Sequence, residues 1–306
     1  DCDFENTGRL QLAWTEKDFD KQKLLSNVIK NKSDVKVKIV NRKQLLKEIK
    51  TERYFGGMLF SEHCGIHPAK FHRGLLNKAV NCGIAIIEKN GVETIAANGK
   101  HSKICLKNRE ISTKKLIVAT NGYTTANLNW FTKRVFPVPG YIISTEDLPS
   151  ELIDSLAPGK RMMVETRSKY SYFRVSPNGK NIIFGGRAAI KPISIEESKK
   201  VLKGTLDDIW PSLKDYRVEN SWTGNTGFTF NHLPHVGETG GINYAVGFSG
   251  SGTVLAPYLG AKAAYQAFGD QRGQTAYSKT FLRTSPVHLF TKPYFLQIAN
   301  IWWKYV

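Results

Sequence analysis

GFSGSGTVLAPYLGAKAA, from Gly247 to Ala264, is the stretch on which the reading of the chain turns. A short apolar run with strand character, Ile242 to Val246, precedes it and a helical pattern follows, so Gly247, Gly250 and Gly252 fall at a strand-to-helix turn. Such a turn sets bare backbone N–H groups and the positive end of a helix against a polar or anionic ligand, because glycine carries no Cβ and reaches positive φ. The same spacing fits a close-packed turn with no ligand, and the residues alone leave both readings open.

Working outward, VENSWTGNTGFTFNHLPHVGETGGINYAV leads into the turn. Before it, residues 195–210 carry a Glu/Lys-rich amphipathic pattern that ends at Trp210-Pro211. From Trp130 the texture is β-rich: Tyr170, Tyr172 and Arg174 alternate onto one strand face, Pro177-Asn178-Gly179 makes a turn, and NIIFGG returns, which predicts a meander. Further upstream a hairpin turns at Asn98-Gly99, and a buried strand, Leu116 to Ala119, runs into Thr120-Asn121-Gly122, where backbone can approach something closely. His67-Pro68 opens a helix over Ala69–Asn81, Cys82-Gly83 stops it, and a strand is expected over Ile84–Glu88. The opening residues read as a strand, Leu10 to Trp14, then a helix in which Phe19, Leu24, Leu25, Val28 and Ile29 keep helical spacing. Val35, Val37 and Ile39 then alternate into a second strand, followed by a short helix.

The 306 residues are enough for two domains, and 41 % hydrophobic residues with 26 glycines suit a globular α/β or α+β protein. The formal net charge of +18 is spread among Asp, Glu and Asn without basic blocks, and no nucleic-acid motif accompanies it. Cys2, Cys64, Cys82 and Cys105 show neither CxxC nor zinc-like pairing, so free thiols in the cytoplasm are expected. His63, His67, His232 and His235 lack metal-ligand spacing, so no metal is expected. Gly247-x-Ser249-x-Ser251 lacks the last glycine of a nucleophile elbow, which argues against a hydrolase. There is no transmembrane run and no signal-peptide pattern, and the start at Asp1, without Met, reads as a fragment or a processed chain. The aromatic, basic tail HLFTKPYFLQIANIWWKYV is broken by Pro293 and two lysines and reads as core or interface packing. What remains are glycine-rich turns at strand ends, which suit a large cofactor whose own ring does the chemistry.

In their order, GIHPAKFHRGLLNKAVNCGIAI, NGVETI, KLIVATNGYTT, FPVPGYIISTEDL, YFRVSPNGKNIIFGGR, SWTGNTGFTFNHLPHVG and GFSGSGTVLAPYLG resemble the FAD-dependent oxidoreductases of the D-amino-acid oxidase and glycine oxidase (DAO) type. The likeness covers essentially the whole chain and runs nearest to the γ-glutamylputrescine oxidoreductase-like branch. The resemblance implies an α/β (α+β) chain with an incomplete two-domain FAD/NAD(P)-binding-like fold and an antiparallel-sheet substrate domain. It divides the chain into 60–122 with 218–285 for FAD, 1–59 with 123–217 for the substrate cap, and a tail over 286–306. Val92 would meet the adenine through its backbone, and Ala119, Thr120, Asn121 and Gly122 would pass the middle of FAD. Gly247, Ser249, Gly250, Ser251, Gly252 and Thr253 would face the flavin ring and ribityl chain. Arg174, Arg187, Tyr172 and Trp222 are the substrate-contact candidates; for both arginines a structural ion pair fits equally.

Three departures qualify the likeness. Ser251 stands where many relatives of that branch carry histidine. Thr223-Gly224-Asn225-Thr226 lacks the arginine that clamps an α-carboxylate, so an amine is expected ahead of a simple α-amino acid. The strand, Gly-x-Gly-x-x-Gly turn and helix that cradle the pyrophosphate are missing from the sequence, so this chain is expected to bind FAD poorly unless a separate chain supplies that unit. The expected reaction is hydride transfer from an amine or amino acid C–N bond, giving an imine that hydrolyses, with O₂ or another electron acceptor. The alternative is a truncated, non-catalytic binding or assembly module with a basic surface.

Overall fold

A computed structural model describes residues 1–97, 101–186, 188 and 192–284. The Asn98-Gly99 turn, Arg187 and the aromatic tail lie outside the described residues. The order is β1 (Arg9–Ala13), α1 (Glu16–Lys32), β2 (Val37–Asn41), α2 (Arg42–Leu45), β3 (Gly56–Phe60), α3 (Pro68–Asn81), β4 (Val92–Ala97), β5 (Ser102–Leu106), β6 (Arg109–Thr113), β7 (Ile117–Val118), α4 (Asn129–Thr132) and β8 (Phe136–Thr145). It continues with α5 (Ser150–Leu156), β9 (Met162–Glu165), β10 (Ser171–Val175), β11 (Ile182–Gly186), α6 (Ile195–Ile209), β12 (Val218–Phe228), β13 (His235–Thr239), β14 (Ile242–Val246) and α7 (Gly252–Ala267). The result is a mixed α/β chain built around largely antiparallel sheets.

The chain divides into two compact units, Asp1–Ile84 with Gly140–Gly224, and Ala85–Pro139 with Asn225–Val306. The division into FAD and cap segments that the resemblance implies has its breaks before residue 60 and after 122 and 217, so the compact units do not coincide with it. The later first break has a visible cause: β3 pairs along its length with both β1 and β2, and Gly65 bridges to Glu5, so residues 60–65 are tied to the N-terminal strands.

In the first unit the strand order is β12-β8-β11-β10-β9-β1-β3-β2, and one face of this sheet buries the largest core. Leu10, Leu12, Ile143, Phe173 and Phe184 point into it and meet Leu202, Leu206 and Ile209 of α6. Helix α6 forms where its sequence signals lie: the Ser194 hydroxyl accepts from the Glu197 amide at 3.1 Å, Glu196 and Glu197 fill the first turn, and the apolar stripe faces the sheet. Helix α1 differs from the expectation. Its inward side chains are Gln22 and Ser26, while Leu24 is 69 % exposed and Leu25 and Val28 are also exposed. The reason is the anchor at its first turn: Phe19 packs so closely on Gly56 that a Cβ there would overlap the ring, and Gln22 donates to the Gln11 carbonyl at 3.0 Å, which fixes the rotation of the helix.

In the second unit β14 pairs antiparallel with β13 and parallel with β7. Tyr244 and Val246 pack on one side of β14 against Val118, Phe131 and Val135, while Ala245 packs on the other side against Leu259 and Ala263 of α7, so this strand is buried on both faces. A separate three-stranded sheet, β4-β5-β6, begins with Val92. The strand expected over Ile84–Glu88 does not form; its isoleucines are exposed, because no described strand lies alongside to take up its backbone groups. The strand read over Leu116–Ala119 is shortened to Ile117–Val118, with only Val118 buried. Among the described residues no helix is long and apolar enough to cross a membrane, and all four cysteines are free.

Candidate functional site

Parallel pairing of β7 with β14 sets the ends of these two strands side by side, and both leave the sheet through strained turns. Gly247 (φ +78°), Ser249 (φ +50°) and Gly250 (φ +99°) turn the chain out of β14, and Asn121 (φ +45°) turns it after β7. The C-terminal end of strand β12 joins them. The Asn121 Oδ1 accepts from the Gly247 amide at 2.9 Å, the Ser249 amide donates to the Gly227 carbonyl at 2.9 Å, and the Asn225 amide donates to the Tyr123 hydroxyl at 3.0 Å. The turns approach too closely for side chains: a Cβ on Gly122 would stand 2.9 Å from the Asn225 carbonyl oxygen and the Gly227 nitrogen, one on Gly227 would overlap Asn121, and one on Gly247 would overlap Thr229. Of the expected cofactor residues, Asn121, Gly122, Gly247 and Ser249 are thus brought into one knot, and Ala119 and Thr120 lie exposed immediately before it. Gly227, Tyr123 and Thr229 belong to the knot as well. The second glycine of SWTGNTG was the available signal for Gly227, but its partner is a side chain more than 100 residues away, which spacing cannot show.

Beyond the knot the chain opens. No atom lies within 4 Å of an ideal Cβ at Gly250. Ser251 stands at the N-cap of α7 without a side-chain cap bond, so the first-turn amides of Gly252, Thr253 and Val254 have no acceptor among the described residues. Gly250, Ser251, Thr253 and Val254 are exposed, Val254 by 75 %. Ser249 and Gly250 at positive φ, followed by an uncapped helix start, leave a row of backbone donors without acceptors among the described residues. These residues fit the polar pyrimidine edge and ribityl chain of a flavin, and they do not make a pyrophosphate cradle. Val92 lies at the start of β4, paired with Leu106 on the separate sheet, and no described contact joins it to the knot.

The substrate candidates lie in the first unit. Tyr172 and Arg174 occupy the sheet face opposite the core. The Arg174 guanidinium is engaged: it pairs with Glu5 and donates to the Val175 carbonyl at 2.9 Å. Trp222 is exposed on β12, two residues beyond Asn220, whose side-chain Nδ2 donates to the Ser144 hydroxyl at 3.2 Å. Arg187 is not among the described residues. No group of three or more His, Cys, Asp or Glu among the described residues is placed to hold a metal ion.

His235 ties the Asn231 loop to Thr280 in the second unit. Its Nε2 lies 3.1 Å from the Asn231 Oδ1 and its Nδ1 3.2 Å from the Thr280 carbonyl oxygen, with the ring buried. Burial holds its pKa below the ordinary 6.5, partly offset by the Thr280 carbonyl. The unfolded chain therefore binds this proton more readily than the folded one, so stability is full above about pH 6.5 and declines as pH falls through the depressed folded value. His235→Gln is expected to flatten the fall in Tm between about pH 7.5 and 5.5, which thermal denaturation at each pH checks; an unchanged slope would count against it.

A family model described as "DAO: FAD dependent oxidoreductase" matches residues 1–266. Among curated proteins, a probable oxidoreductase OrdL of Haemophilus influenzae is 25 % identical over 236 residues, covering 75 % of this chain and 53 % of that protein. The γ-glutamylputrescine oxidoreductase of Escherichia coli is 23 % identical over 274 residues, covering 88 % of this chain and 63 % of that protein. The chain thus spans about half to three-fifths of the length of these relatives. Among solved structures, glycine oxidase from Geobacillus kaustophilus superimposes with a TM-score of 0.77 at 16 % identity, covering 94 % of this chain and 76 % of that one, a likeness of fold.

Proposed function

The chain belongs to the family of FAD-dependent oxidoreductases, and from that premise we propose that it carries the flavin-facing and substrate-binding parts of an enzyme oxidising the C–N bond of an amine or amino acid, with an amine of the γ-glutamylputrescine kind preferred. The observation that carries this reading is the knot of Asn121, Gly122, Gly227, Gly247 and Ser249 leading to the uncapped start of α7. Bound flavin would supply the chemistry, taking a hydride from the carbon next to nitrogen and leaving an imine for water to hydrolyse. With flavin bound, the amides of Gly250, Gly252 and Thr253 and the α7 dipole would stabilise the negative charge that gathers on reduction. Asn121 holds Gly247 in the conformation that aims them, and Val92 would reach the adenine by its backbone. In this reading the unit holding β7, β14 and α7 is the remainder of the cofactor domain, and the unit holding Tyr172, Arg174 and Trp222 is the substrate cap.

The preference for an amine is supported by the absence of arginine in Thr223–Thr226 and by the engagement of Arg174 with Glu5. The strand–Gly-x-Gly-x-x-Gly–helix unit comes from outside these residues, including from a separate chain; the shorter length relative to the curated relatives supports this. A cytoplasmic setting is supported by the four free cysteines. The final acceptor is O₂ or another oxidant. Anaerobic mixing of the yellow, flavin-loaded protein with γ-glutamylputrescine, putrescine, sarcosine, proline and glycine tests the proposal: loss of the flavin absorbance band is expected with the amine. A protein that stays colourless with FAD present supports a binding or assembly role instead, and bound flavin that none of the five bleaches overturns the oxidation reading.

A further inference from the structure

The second unit leaves one strand edge and one helix face without a neighbour among the described residues. Strand β7 ends its three-stranded sheet and pairs with β14 on one side only. The Leu116 carbonyl accepts from the Asn243 amide at 2.9 Å, so by alternation the backbone groups of Ile117 and Ala119 point away from β14, and no described residue bonds to them. Such an edge is a template for another strand. Ile117 shares a sheet face with Asn243 and Ala245, the face on which α7 packs, and it is 39 % exposed. Helix α7 is apolar nearly all round, with Lys262 the one charged side chain among its 16 residues, a composition that ordinarily goes with burial on every side. Leu259 and Ala263 take one side against the sheet. On the next side Lys262 and Gln266 donate to the carbonyls of Arg272 and Gly273 at 2.7 and 2.9 Å. The remaining side carries Val254, Pro257, Ala261 and, at the C-cap, Phe268. This is a stripe at i, i+3, i+7 and i+14 that is exposed throughout, Phe268 by 78 %. Nothing lies within 4 Å of an ideal Cβ on Gly260 beside it, so another helix can approach closely. The described chain after α7 leaves by the opposite face of the sheet, where Leu282 packs with Val118 and Tyr244.

We propose that this edge and this stripe form one docking surface for a strand–turn–helix polypeptide, whose strand pairs along β7 and whose helix lies on Val254, Pro257, Ala261 and Phe268. A bare backbone edge beside an apolar helix stripe calls for both elements at once, since a strand alone or a helix alone leaves one of them uncovered. β7 and β14 are already parallel, and parallel strands are ordinarily flanked by further strands and covered by helices. The curated relatives extend well beyond the length that this chain spans, so they hold enough further chain for such a unit. The inference rests on the flavoenzyme reading and names its partner, the unit carrying the Gly-x-Gly-x-x-Gly turn. Because α7 offers its first-turn amides at one end and the stripe along its length, docking steadies the helix start that serves the flavin. Partner and flavin therefore tighten each other's binding by the same factor.

The test uses the full chain, alone and joined by a flexible Gly/Ser linker to the part of Escherichia coli γ-glutamylputrescine oxidoreductase that this chain does not match. The tether raises the effective concentration to about millimolar, so weak affinity between diverged sequences suffices. Without flavin, hydrogen exchange at the Ile117 and Ala119 amides is expected to slow at least about a hundredfold in the joined protein. Val254→Asp with Phe268→Asp abolishes that protection, whereas Leu24→Asp, on the exposed side of α1, leaves it intact. All three side chains are largely exposed, so the Tm of the chain alone stays unchanged in each variant. No slowing in the joined protein, or slowing that survives the double Asp variant, overturns the inference. Sedimentation of the chain alone as a dimer that Val254→Asp turns into monomer assigns the stripe to a second copy and overturns it too. FAD is a separate arm, expected to bind at least about tenfold more tightly to the joined protein than to the chain alone; equal affinity overturns the coupling. Protection with no FAD binding to either protein supports the docking surface and removes the flavoenzyme reading, so the two failures are distinct.

Discussion

Gly227→Ala is expected to remove about 2–6 kcal/mol of stability and to weaken flavin binding at least about a hundredfold. The new methyl group overlaps the Asn121 carboxamide, and its other neighbour, the Gly122 nitrogen at 2.8 Å, is backbone and cannot swing aside. Forcing an extra carbon into such a contact costs about 1–3 kcal/mol. Asn121 can yield only by withdrawing Oδ1 from the Gly247 amide, and an unsatisfied buried donor costs a further 1–3 kcal/mol or so. Because Gly247 begins the turn that aims the first amides of α7, the same displacement reaches the proposed flavin edge. Two comparisons isolate the cause. Gly227→Ala combined with Asn121→Ala removes the overlap with the carboxamide but neither the clash with the Gly122 nitrogen nor the lost hydrogen bond, so it should recover less than half of the stability and little of the flavin affinity. Gly204→Ala, in the exposed middle of α6 where nothing lies within 4 Å of the new carbon, should stabilise the chain by up to about 1 kcal/mol. Denaturant midpoints and flavin fluorescence titrations measure both quantities; a Gly227→Ala protein with wild-type flavin affinity would refute the assignment of the knot.

The contrast between Gly227 and Gly204 also marks what the sequence could and could not reveal. Local signals were legible: the Glu/Lys-rich amphipathic pattern of α6, the Pro68 start and Gly83 stop of α3, and the Gly179 turn between β10 and β11 all rest on interactions within a few residues. The order of glycine turns was legible too, and it pointed to ATNG and GFSGSG. Their junction was not, because it is made by an asparagine side chain and by the close approach of a third segment, and neither leaves a periodicity. Helix α1 shows the same limit at the level of packing. Its apolar spacing announces a helix, but its rotation is set by the Phe19–Gly56 contact and the Gln22–Gln11 bond, which turn Leu24 outward. Arg174 carries no mark of its Glu5 partner, 169 residues away in sequence, so read from β10 alone it left substrate contact and a structural ion pair both open.

Glu165→Ala is expected to cost about 3–5 kcal/mol, the range for breaking a buried ion pair by removing one partner. The Glu165 side chain is fully buried at the end of β9, where it accepts from the Tyr54 hydroxyl at 2.7 Å, the Arg167 Nε at 2.6 Å and the Ser171 amide at 2.8 Å. Burial, and next the Glu165 charge, push the Tyr54 phenol well above its ordinary pKa, so it stays a neutral donor across the accessible pH range. Arg167 in turn lies over the Trp14 ring at 4.6 Å, which leaves the guanidinium without a second carboxylate if Glu165 is lost. Glu165→Gln separates charge from shape. Its carboxamide oxygen can keep the bonds from Arg167 and Ser171, and its NH₂ can donate to Tyr54, whose hydroxyl then accepts; only the charge is removed, and the cost should fall to about 1–2 kcal/mol. The consequence extends along the strand. Ser171 immediately precedes Tyr172, which pairs with both Val164 and Gly185, so releasing its amide loosens the register that sets Tyr172 opposite Gly185. Equilibrium denaturation of the two variants decides the matter: an alanine variant within about 1 kcal/mol of wild type would mean that water replaces the carboxylate at no loss, and a glutamine variant as unstable as alanine would assign the whole effect to the charge facing Arg167.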